Sequence, residues 1–113
     1  MQPNWALPET LQLLAASGDA ELVVEIIDLF KSDTARRLLL LREALVHKDG
    51  ARVKQEAHAI KGSAIQVGAD SLAVLCQRIE LEAPATSCPE LEPLVRQAEA
   101  DFEDLCRAEA IVR

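Results

Sequence analysis

His58 is flanked by lysines and a glycine at spacings that bring side chains together on one helix. Lys61 follows it by three residues, Gly62 follows it by four, and Lys54 precedes it by four. Residues three and four apart are neighbours on the surface of an α-helix. A glycine inside a helix costs about 1 kcal/mol relative to alanine, so we expect Gly62 to serve something other than helix stability.

Nucleophilic attack by the imidazole ring is the chemistry that this group favours. Nearby ammonium groups disfavour the charged imidazolium and favour the neutral ring, which keeps one nitrogen with a free lone pair. Such a nitrogen can accept a transferred group. The missing side chain of Gly62 gives another protein access to the ring, and Lys61 could neutralise charge on a transferred phosphoryl group. We therefore predict His58 as the catalytic residue, supported by Lys61 and Gly62.

The helix that carries His58 has its apolar residues on the opposite side. At about 100° per residue, one face collects a predicted core stripe of Val53, Ala57, Ile60, Ala64 and Val67. The side of His58 collects Lys54, Gln55, Lys61, Gly62 and Ile65. The pattern predicts that His58 faces water. Because Ile65 is apolar on that exposed side, it favours a partner-binding surface, with Gln55 beside it.

The composition indicates helices packed on helices. Half of the 113 residues are apolar and only three are aromatic, so Leu, Ile, Val and Ala must form the core. Four glycines and five prolines divide the chain into helices that we predict at residues 8–17, 19–47, 50–67, 70–82 and 88–110. We expect one all-α domain over residues 1–113, an antiparallel up-and-down four-helix bundle with a short extra N-terminal helix.

The predicted second helix has a start signal and a repeating row of apolar residues. Asp19 is a plausible N-cap. The residues that recur at helical spacing, as core positions do, are Leu22, Ile26, Leu29, Phe30, Leu38, Leu41 and Leu45.

Charge and cysteine usage exclude several classes of protein. The net charge of −7 argues against nucleic-acid binding, which usually needs a basic surface. No apolar run is long enough to cross a bilayer, and the N-terminus lacks a secretion signal, so we expect a cytoplasmic protein that does not bind membranes. Three cysteines without a close pair predict free thiols rather than disulfides or a zinc site.

The segment HAIKGSA, from His58 to Ala64, is followed by Gly68-Ala69 and by a helix that reaches Glu80. This arrangement resembles the signature of histidine-containing phosphotransfer (HPt) domains, which is His-x-Leu-Lys-Gly-Ser-(Ser/Ala), a Gly-Ala pair and a helix ending in Leu-Glu. The resemblance covers the chain from about Leu22 to Phe102, because the helix before His58 is also similar to the family's. Ile60 and Val67 depart mildly from the family pattern, where Leu and Phe are common.

The resemblance implies a phosphocarrier in a multistep phosphorelay. A receiver-domain aspartate of a hybrid sensor kinase would pass a phosphoryl group to Nε2 of His58, which would pass it to the aspartate of a second response-regulator receiver. Lys61 and Gly62 match the family's phosphate-side lysine and access glycine, and Ser63 and Gln66 match positions that are commonly small or polar. The resemblance also suggests that Glu80 or Gln77 on the next helix orients the ring.

The resemblance and the sequence also indicate which cofactors and which oligomeric state to expect. No metal or cofactor of its own is expected, since the magnesium would belong to the receiver partner. The chain has no Gly-rich ATP loop, so it should not make phosphohistidine from ATP by itself. A monomer is expected because the bundle can close its own core.

Three other interpretations remain open from the sequence. A surface histidine beside a glycine that packing tolerates is the simplest interpretation of the motif taken alone. A helical docking module could bind receiver or kinase domains without phosphotransfer. A metal-binding bundle would use His47, His58 and acidic residues, but the Glu-x-x-His pairs of di-metal bundles are missing.

Overall fold

The computed structural model of the protein describes residues 5–83 and 88–108. A short helix, α1 (Glu9–Leu14), is followed by a π-helical segment (Ala15–Asp19) that is kinked at Gly18, and then by α2 (Ala20–Val46). The chain then forms α3 (Gly50–Val67), α4 (Asp70–Glu82) and α5 (Cys88–Ala108). Those two ranges contain no strand, which confirms the predicted all-α class. None of the helices is long and apolar enough to cross a membrane.

The four long helices pack as an antiparallel bundle. α3 lies between α2 and α4, and α5 packs against α4 and closes the ring against α2. α1 and the π-helical segment pack on α2 as the short N-terminal addition. This is the predicted architecture. Residues 109 and 110, which the prediction included in the last helix, lie outside the described residues.

The predicted core stripe of α3 is buried along its whole length. Val53, Ala57, Ile60 and Ala64 have no exposed surface, and Val67 is 4% exposed. They meet a core of aliphatic residues from the other helices, among them Leu41, Leu72, Ile79, Leu91, Val95 and Leu105. Burying a side chain of this size contributes about 1.5–3 kcal/mol, so the stripe fixes how α3 is rotated in the bundle.

Two leucines of α2 lie on the surface, although their spacing suggests core positions. Leu22 is 46% exposed and Leu29 is 69% exposed, and Ile26 is only half-buried. The buried row begins at Val23 and Ile27, one residue further along. Both rows have helical periodicity, and only packing against α3 and α5 decides which of them faces inward.

The ends of α3 are well defined, whereas the start of α2 is not. The Asp49 carboxylate accepts a hydrogen bond from the backbone N–H of Arg52, so it caps α3. Gly68 ends α3 in the left-handed conformation, with φ of 76°. Asp19 occupies the predicted N-cap position of α2, but its side chain makes no capping hydrogen bond. The residue before it, Gly18, has φ of 98° and kinks the chain between the two helices.

The residues before α1 pack across the end of the bundle. The Trp5 ring is buried, and its Nε1–H donates to the carbonyl of Val67 at 2.9 Å. It stacks edge-on with Phe30, with ring centroids 5.7 Å apart, and Lys31 lies over its face. This segment therefore fixes the C-terminal end of α3 against α2.

Ion pairs join α2 to both of its neighbours. Arg37 of α2 donates to Glu56 of α3 at 3.1 Å, and Glu56 is buried between Arg37 and Arg52. On the other side of α2, Arg42 bonds the carboxylates of Glu92 and Glu99 on α5. These pairs fix the register of the helices along the bundle axis.

Candidate functional site

His58 lies at the middle of α3 with its ring directed away from the core. The neighbouring residues Ala57 and Ile60 are fully buried, whereas 67% of the His58 side chain is exposed. The backbone under the ring is therefore held by core packing while the ring itself reaches solvent. The structure places His58 where the periodicity of α3 predicts it.

One nitrogen of the His58 ring is bound by a carboxylate from α4. Nδ1 lies 2.7 Å from Oε2 of Glu80. An ionised carboxylate can only accept hydrogen bonds, so Nδ1–H is the donor. In the neutral ring the proton is then on Nδ1, and the lone pair is on Nε2. The α4 carboxylate therefore selects which nitrogen is available to react.

Lys61 binds the same carboxylate. Its Nζ lies 2.7 Å from Oε1 of Glu80, so the two oxygens of Glu80 accept one bond each from two residues of α3. The side chains of Lys61 and Glu80 are 23% and 15% exposed, which is much less than the ring that they support. The site is therefore a row of three groups, His58, Glu80 and Lys61, in which the carboxylate is the bridge.

The charge of Glu80 follows from its two donors. The hydrogen bond from Lys61 is the main cause that holds the pKa of the Glu80 carboxyl below its ordinary value, and the bond from His58 adds to it against the opposing effect of burial. Glu80 is therefore ionised at neutral pH. The prediction that considers only the lysines near His58 is therefore incomplete, because the negatively charged carboxylate of Glu80 also contacts the ring.

Gly62 leaves open space beside the ring. A Cβ built at Gly62 would meet no side chain and no atom of another helix within 4 Å, and the residue is exposed. An alanine would therefore fit, and only a longer side chain would reach across the approach to His58. This matches the expected access role in geometry, and it limits that role to large substituents.

The other predicted site residues are mostly exposed. Lys54, Gln55, Ile65 and Gln66 are exposed, with Ile65 57% exposed, and Ser63 is half-buried. Gln77 is exposed and makes no side-chain hydrogen bond within residues 5–83 and 88–108, so Glu80 rather than Gln77 contacts the ring. The sequence did not show that Lys61 and His58 share one acceptor, since that depends on how α4 is rotated against α3.

In the described part of the chain, no three His, Cys, Asp or Glu side chains are grouped so that they could hold a metal ion. Cys76 is a buried free thiol and Cys106 a half-buried one. Burial raises the pKa of the Cys76 thiol to about 12. The side chain of Cys88 lies outside the described residues.

Residues 25–108 match the Hpt domain model. The chain belongs to the Hpt domain family. Proteins of this family carry phosphoryl groups on a histidine in phosphorelays and interact there with receiver domains and histidine kinases, so this chain is a phosphotransfer histidine carrier. A comparison with curated proteins finds no match.

Two solved structures resemble the Hpt chain closely in fold. Histidine-containing phosphotransfer protein B (HptB) from Pseudomonas aeruginosa PAO1 is 27% identical, with a TM-score of 0.72 over 86% of this chain and 84% of that chain. The HPT domain of the Hpt sensor hybrid histidine kinase from Shewanella is 22% identical, with a TM-score of 0.66 over 90% of this chain and 86% of that chain. At this lower identity, the similarity to the Shewanella domain is evidence of a shared fold alone.

Proposed function

We propose that this Hpt domain relays a phosphoryl group from one receiver aspartate to another through Nε2 of His58. The observation that carries the proposal is the 2.7 Å bond between Nδ1 of His58 and Glu80 on a ring that is 67% exposed. That bond directs Nδ1 towards α4 and leaves Nε2 available to a partner. Gly62 keeps the approach open, and Gln55 and Ile65 extend the contact surface around it.

The proposed transfer needs no proton to leave the ring. The Nε2 lone pair attacks phosphorus, the N–P bond forms, and the bond from phosphorus to the receiver aspartate breaks, so that aspartate leaves as a carboxylate. Nδ1 keeps its proton, and the positive charge that develops on the ring lies against the Glu80 carboxylate. In the second transfer the acceptor aspartate attacks phosphorus and the neutral ring leaves.

Lys61 would act on both the carboxylate and the phosphoryl group. Its ammonium holds Glu80 in place before transfer. When a phosphoryl group is on Nε2, the same ammonium could turn towards its equatorial oxygens, and Lys54 could contribute from the preceding turn. Ser63 and Gln66 match positions of the family that are commonly small or polar. No cofactor of this chain enters the step, and magnesium would be held by the receiver.

Phosphotransfer from labelled receivers tests the proposal. Receiver domains from the source organism are phosphorylated with a ³²P-labelled small-molecule donor and mixed with the purified protein. We expect acid-labile, base-stable label on the wild type and none on His58→Gln. His47→Gln is the matched control, because His47 is the second of the two histidines and its Nδ1 contacts the carbonyl of Glu43 instead.

The direction of transfer is tested by isolating the labelled protein and adding unlabelled receivers one at a time. Loss of label from His58 to a receiver other than the donor supports a relay between two receivers. Binding of receivers without any label on the wild type would instead support the docking-module interpretation.

A further inference from the structure

The residues before α2 are held to the bundle mainly at their far end. Trp5 and Leu7 are 5% and 6% exposed, whereas neither α1 nor the π-helical segment contains a buried residue. Three further side chains pack against the core with part of their surface, namely Leu11, Leu14 and Ala15. We call residues 5–17 the N-terminal strap. The strap precedes the residues that match the Hpt domain model, so the family match assigns it no role.

Trp5 lies in a seat that three helices of the bundle form. Its Nε1–H donates to the carbonyl of Val67 on α3 at 2.9 Å. Its ring centroid lies 5.7 Å from that of Phe30 on α2, which in turn contacts Phe102 of α5 edge-on. All three aromatic residues of the chain therefore meet at this point. We call Phe30, Val67 and Phe102 the Trp5 seat.

The strap runs back along α2, so the two form a helical hairpin. Phe30 lies ten residues after the start of α2 at Ala20, which is about 15 Å along the helix axis. Trp5 reaches the level of Phe30 although it precedes Ala20 by fifteen residues in the chain. The chain therefore reverses its direction between the strap and α2.

The reversal takes place at Gly18 and Asp19. Gly18 has φ of 98° and ψ of 1°, and Asp19 has φ of −102° and ψ of 34°. The angles of Gly18 lie in the left-handed region, which glycine enters readily and other residues enter at a cost. A Cβ at Gly18 would meet no atom of another element within 4 Å, so backbone conformation rather than space decides which residue fits. Asp19 gives α2 no side-chain cap that would fix its start.

Helical angles at these two residues would join α1 and α2 into one straight helix, because the residues on both sides are already helical. Glu9 would then lie about 16 Å beyond the start of α2, and Trp5 would lie about 30 Å from Phe30. The Trp5 seat would be empty, and the apolar side chains of the strap would face water. A second copy in the same open form relieves both, because each strap fits the seat of the other copy with the contacts that it makes in its own.

We propose that Gly18 is a hinge through which two copies of this protein exchange their N-terminal straps. In the exchanged dimer, Trp5 of each copy occupies the Trp5 seat of the other, and α1 and α2 form one continuous helix. The contacts at the seat are the same in the closed monomer and in the dimer, so the hinge conformation and the protein concentration decide between them. The exchange is independent of phosphotransfer, and it gives the carrier a second assembly state with two copies of His58.

Substitution of Gly18 by alanine and by asparagine tests the hinge. Alanine favours helical angles and is penalised in the left-handed region, so Gly18→Ala should favour the exchanged dimer. Asparagine enters the left-handed region more readily, so Gly18→Asn should stay closer to the wild type. Gly62→Ala is the matched control, because it makes the same change at an exposed glycine that already lies inside a helix. Sedimentation velocity over a range of protein concentrations measures the dimer dissociation constant.

We expect Gly18→Ala to lower the dimer dissociation constant at least about 100-fold, since each dimer contains two hinges. Gly18→Asn should lower it about tenfold or less, and Gly62→Ala should leave it unchanged. Trp5 is the only tryptophan of the chain, and its fluorescence in the Gly18→Ala dimer should remain that of a buried ring. In a mixture of ¹³C-labelled and unlabelled Gly18→Ala protein, filtered NOE spectra should show contacts between Trp5 of one chain and Phe30 of the other.

The double variant with Gly18→Ala and Trp5→Ala distinguishes exchange from association elsewhere, because it removes the side chain that fills the seat. It should be monomeric at concentrations where Gly18→Ala is a dimer. Circular dichroism confirms that the helices of each variant are intact before association is compared.

Three outcomes would overturn the exchange. If Gly18→Ala stays monomeric with Trp5 buried, the hinge does not open. A monomer in which the Trp5 fluorescence is that of an exposed ring shows a strap that is released and not exchanged. A dimer that survives Trp5→Ala, or that lacks NOE contacts between Trp5 and Phe30 of different chains, associates through another surface.

Discussion

Glu80 of α4 joins His58 and Lys61 of α3 through its two oxygens, each at 2.7 Å. The three residues belong to two helices that pack closely along their whole length. Because the carboxylate is held by an ammonium on one side, it presents a fixed acceptor to the ring on the other. The orientation of the His58 ring therefore depends on a helix that does not carry it.

Glu80→Gln should slow phosphotransfer without unfolding the bundle. The amide oxygen can still accept from Nδ1–H, but it carries no charge to stabilise the ring when it becomes cationic during transfer. We expect the rate to fall by about tenfold, because a hydrogen bond to a charged group contributes about 1–1.5 kcal/mol more than a neutral one. Glu80→Ala should fall further, because the ring also loses its acceptor.

The ring tautomer provides a readout that a purely structural role would not change. We expect ¹⁵N chemical shifts at alkaline pH to show the proton of His58 mostly on Nδ1 in the wild type and distributed over both nitrogens in Glu80→Ala. Glu82→Gln is the control, because Glu82 contacts Arg78 and not the ring. A wild-type tautomer distribution in Glu80→Ala would contradict the assignment.

Two substitutions at Gly62 should distinguish its effect on the stability of the fold from its effect on access to His58. Gly62→Ala should raise the free energy of unfolding by about 1 kcal/mol, because the added methyl group meets nothing and alanine favours the helix. Gly62→Glu should keep the fold yet slow phosphotransfer sharply, because its side chain extends over the approach to His58. Urea unfolding and receiver-to-His58 transfer rates measure the two effects.

Gly68 is the contrasting glycine at the end of the same helix. Its φ is 76°, and a Cβ there would lie 2.4 Å from the carbonyl oxygen of Ala6. Gly68→Ala should therefore destabilise the protein by more than about 1 kcal/mol, opposite in sign to Gly62→Ala. An unchanged transfer rate in Gly62→Glu would contradict the access argument.

Trp5→Phe should weaken the attachment of the N-terminal segment to α3. The ring contact with Phe30 is largely kept, but the Val67 carbonyl loses the Nε1–H donor at 2.9 Å. An unsatisfied buried acceptor costs about 1–3 kcal/mol, and urea unfolding followed by circular dichroism measures it. Lys31→Met, which removes only the cation over the ring, should cost about 1 kcal/mol or less.

The bond from Arg42 to Glu92 predicts a loss of stability in acid. That bond is the main cause that holds the pKa of the Glu92 carboxyl below its ordinary value of 4.5. A carboxyl whose pKa is lower in the folded state contributes stability above its ordinary pKa, and the contribution disappears as pH falls through the lowered pKa. Between pH 5 and pH 3 the urea midpoint should therefore fall more in the wild type than in Glu92→Gln.

Glu103→Gln on the same helix is the control for this pH effect. Glu103 is exposed and has no ion pair within residues 5–83 and 88–108. Its removal should leave the pH dependence of the urea midpoint as in the wild type. If Glu92→Gln and Glu103→Gln behave alike, the bond between Arg42 and Glu92 contributes nothing measurable to stability.

The sequence predicts well what the period of a single helix determines. The alternation of apolar and polar residues on α3 suffices to bury Val53 and Ile60 and to expose His58, and the structure agrees. The number of long helices and the short loops between them add the bundle architecture, and the family resemblance implies the same. Both depend on local pattern and spacing, which tertiary contacts seldom reverse in a strongly periodic helix.

Features that depend on two elements were harder to predict. Gln77 and Glu80 lie three residues apart on α4, and only its rotation against α3 decides which contacts the ring. Leu22 and Leu29 share their period with the true core row of α2, so spacing could not distinguish the rows. Asp19 occupies the N-cap position that the sequence predicts, but the kink at Gly18, which the sequence does not reveal, accompanies a cap whose side chain makes no hydrogen bond.

The commitment of Lys61 to Glu80 has an energetic consequence for a carrier. The ammonium of Lys61 and the carboxylate of Glu80 cancel each other before transfer, so an added phosphoryl dianion meets less positive charge than two uncommitted lysines would provide. We expect the phosphohistidine to be only weakly stabilised, so that the phosphoryl group leaves His58 nearly as easily as it arrives. A site that bound the phosphoryl group with an unpaired cation would stabilise the phosphohistidine more and would pass the group on more slowly.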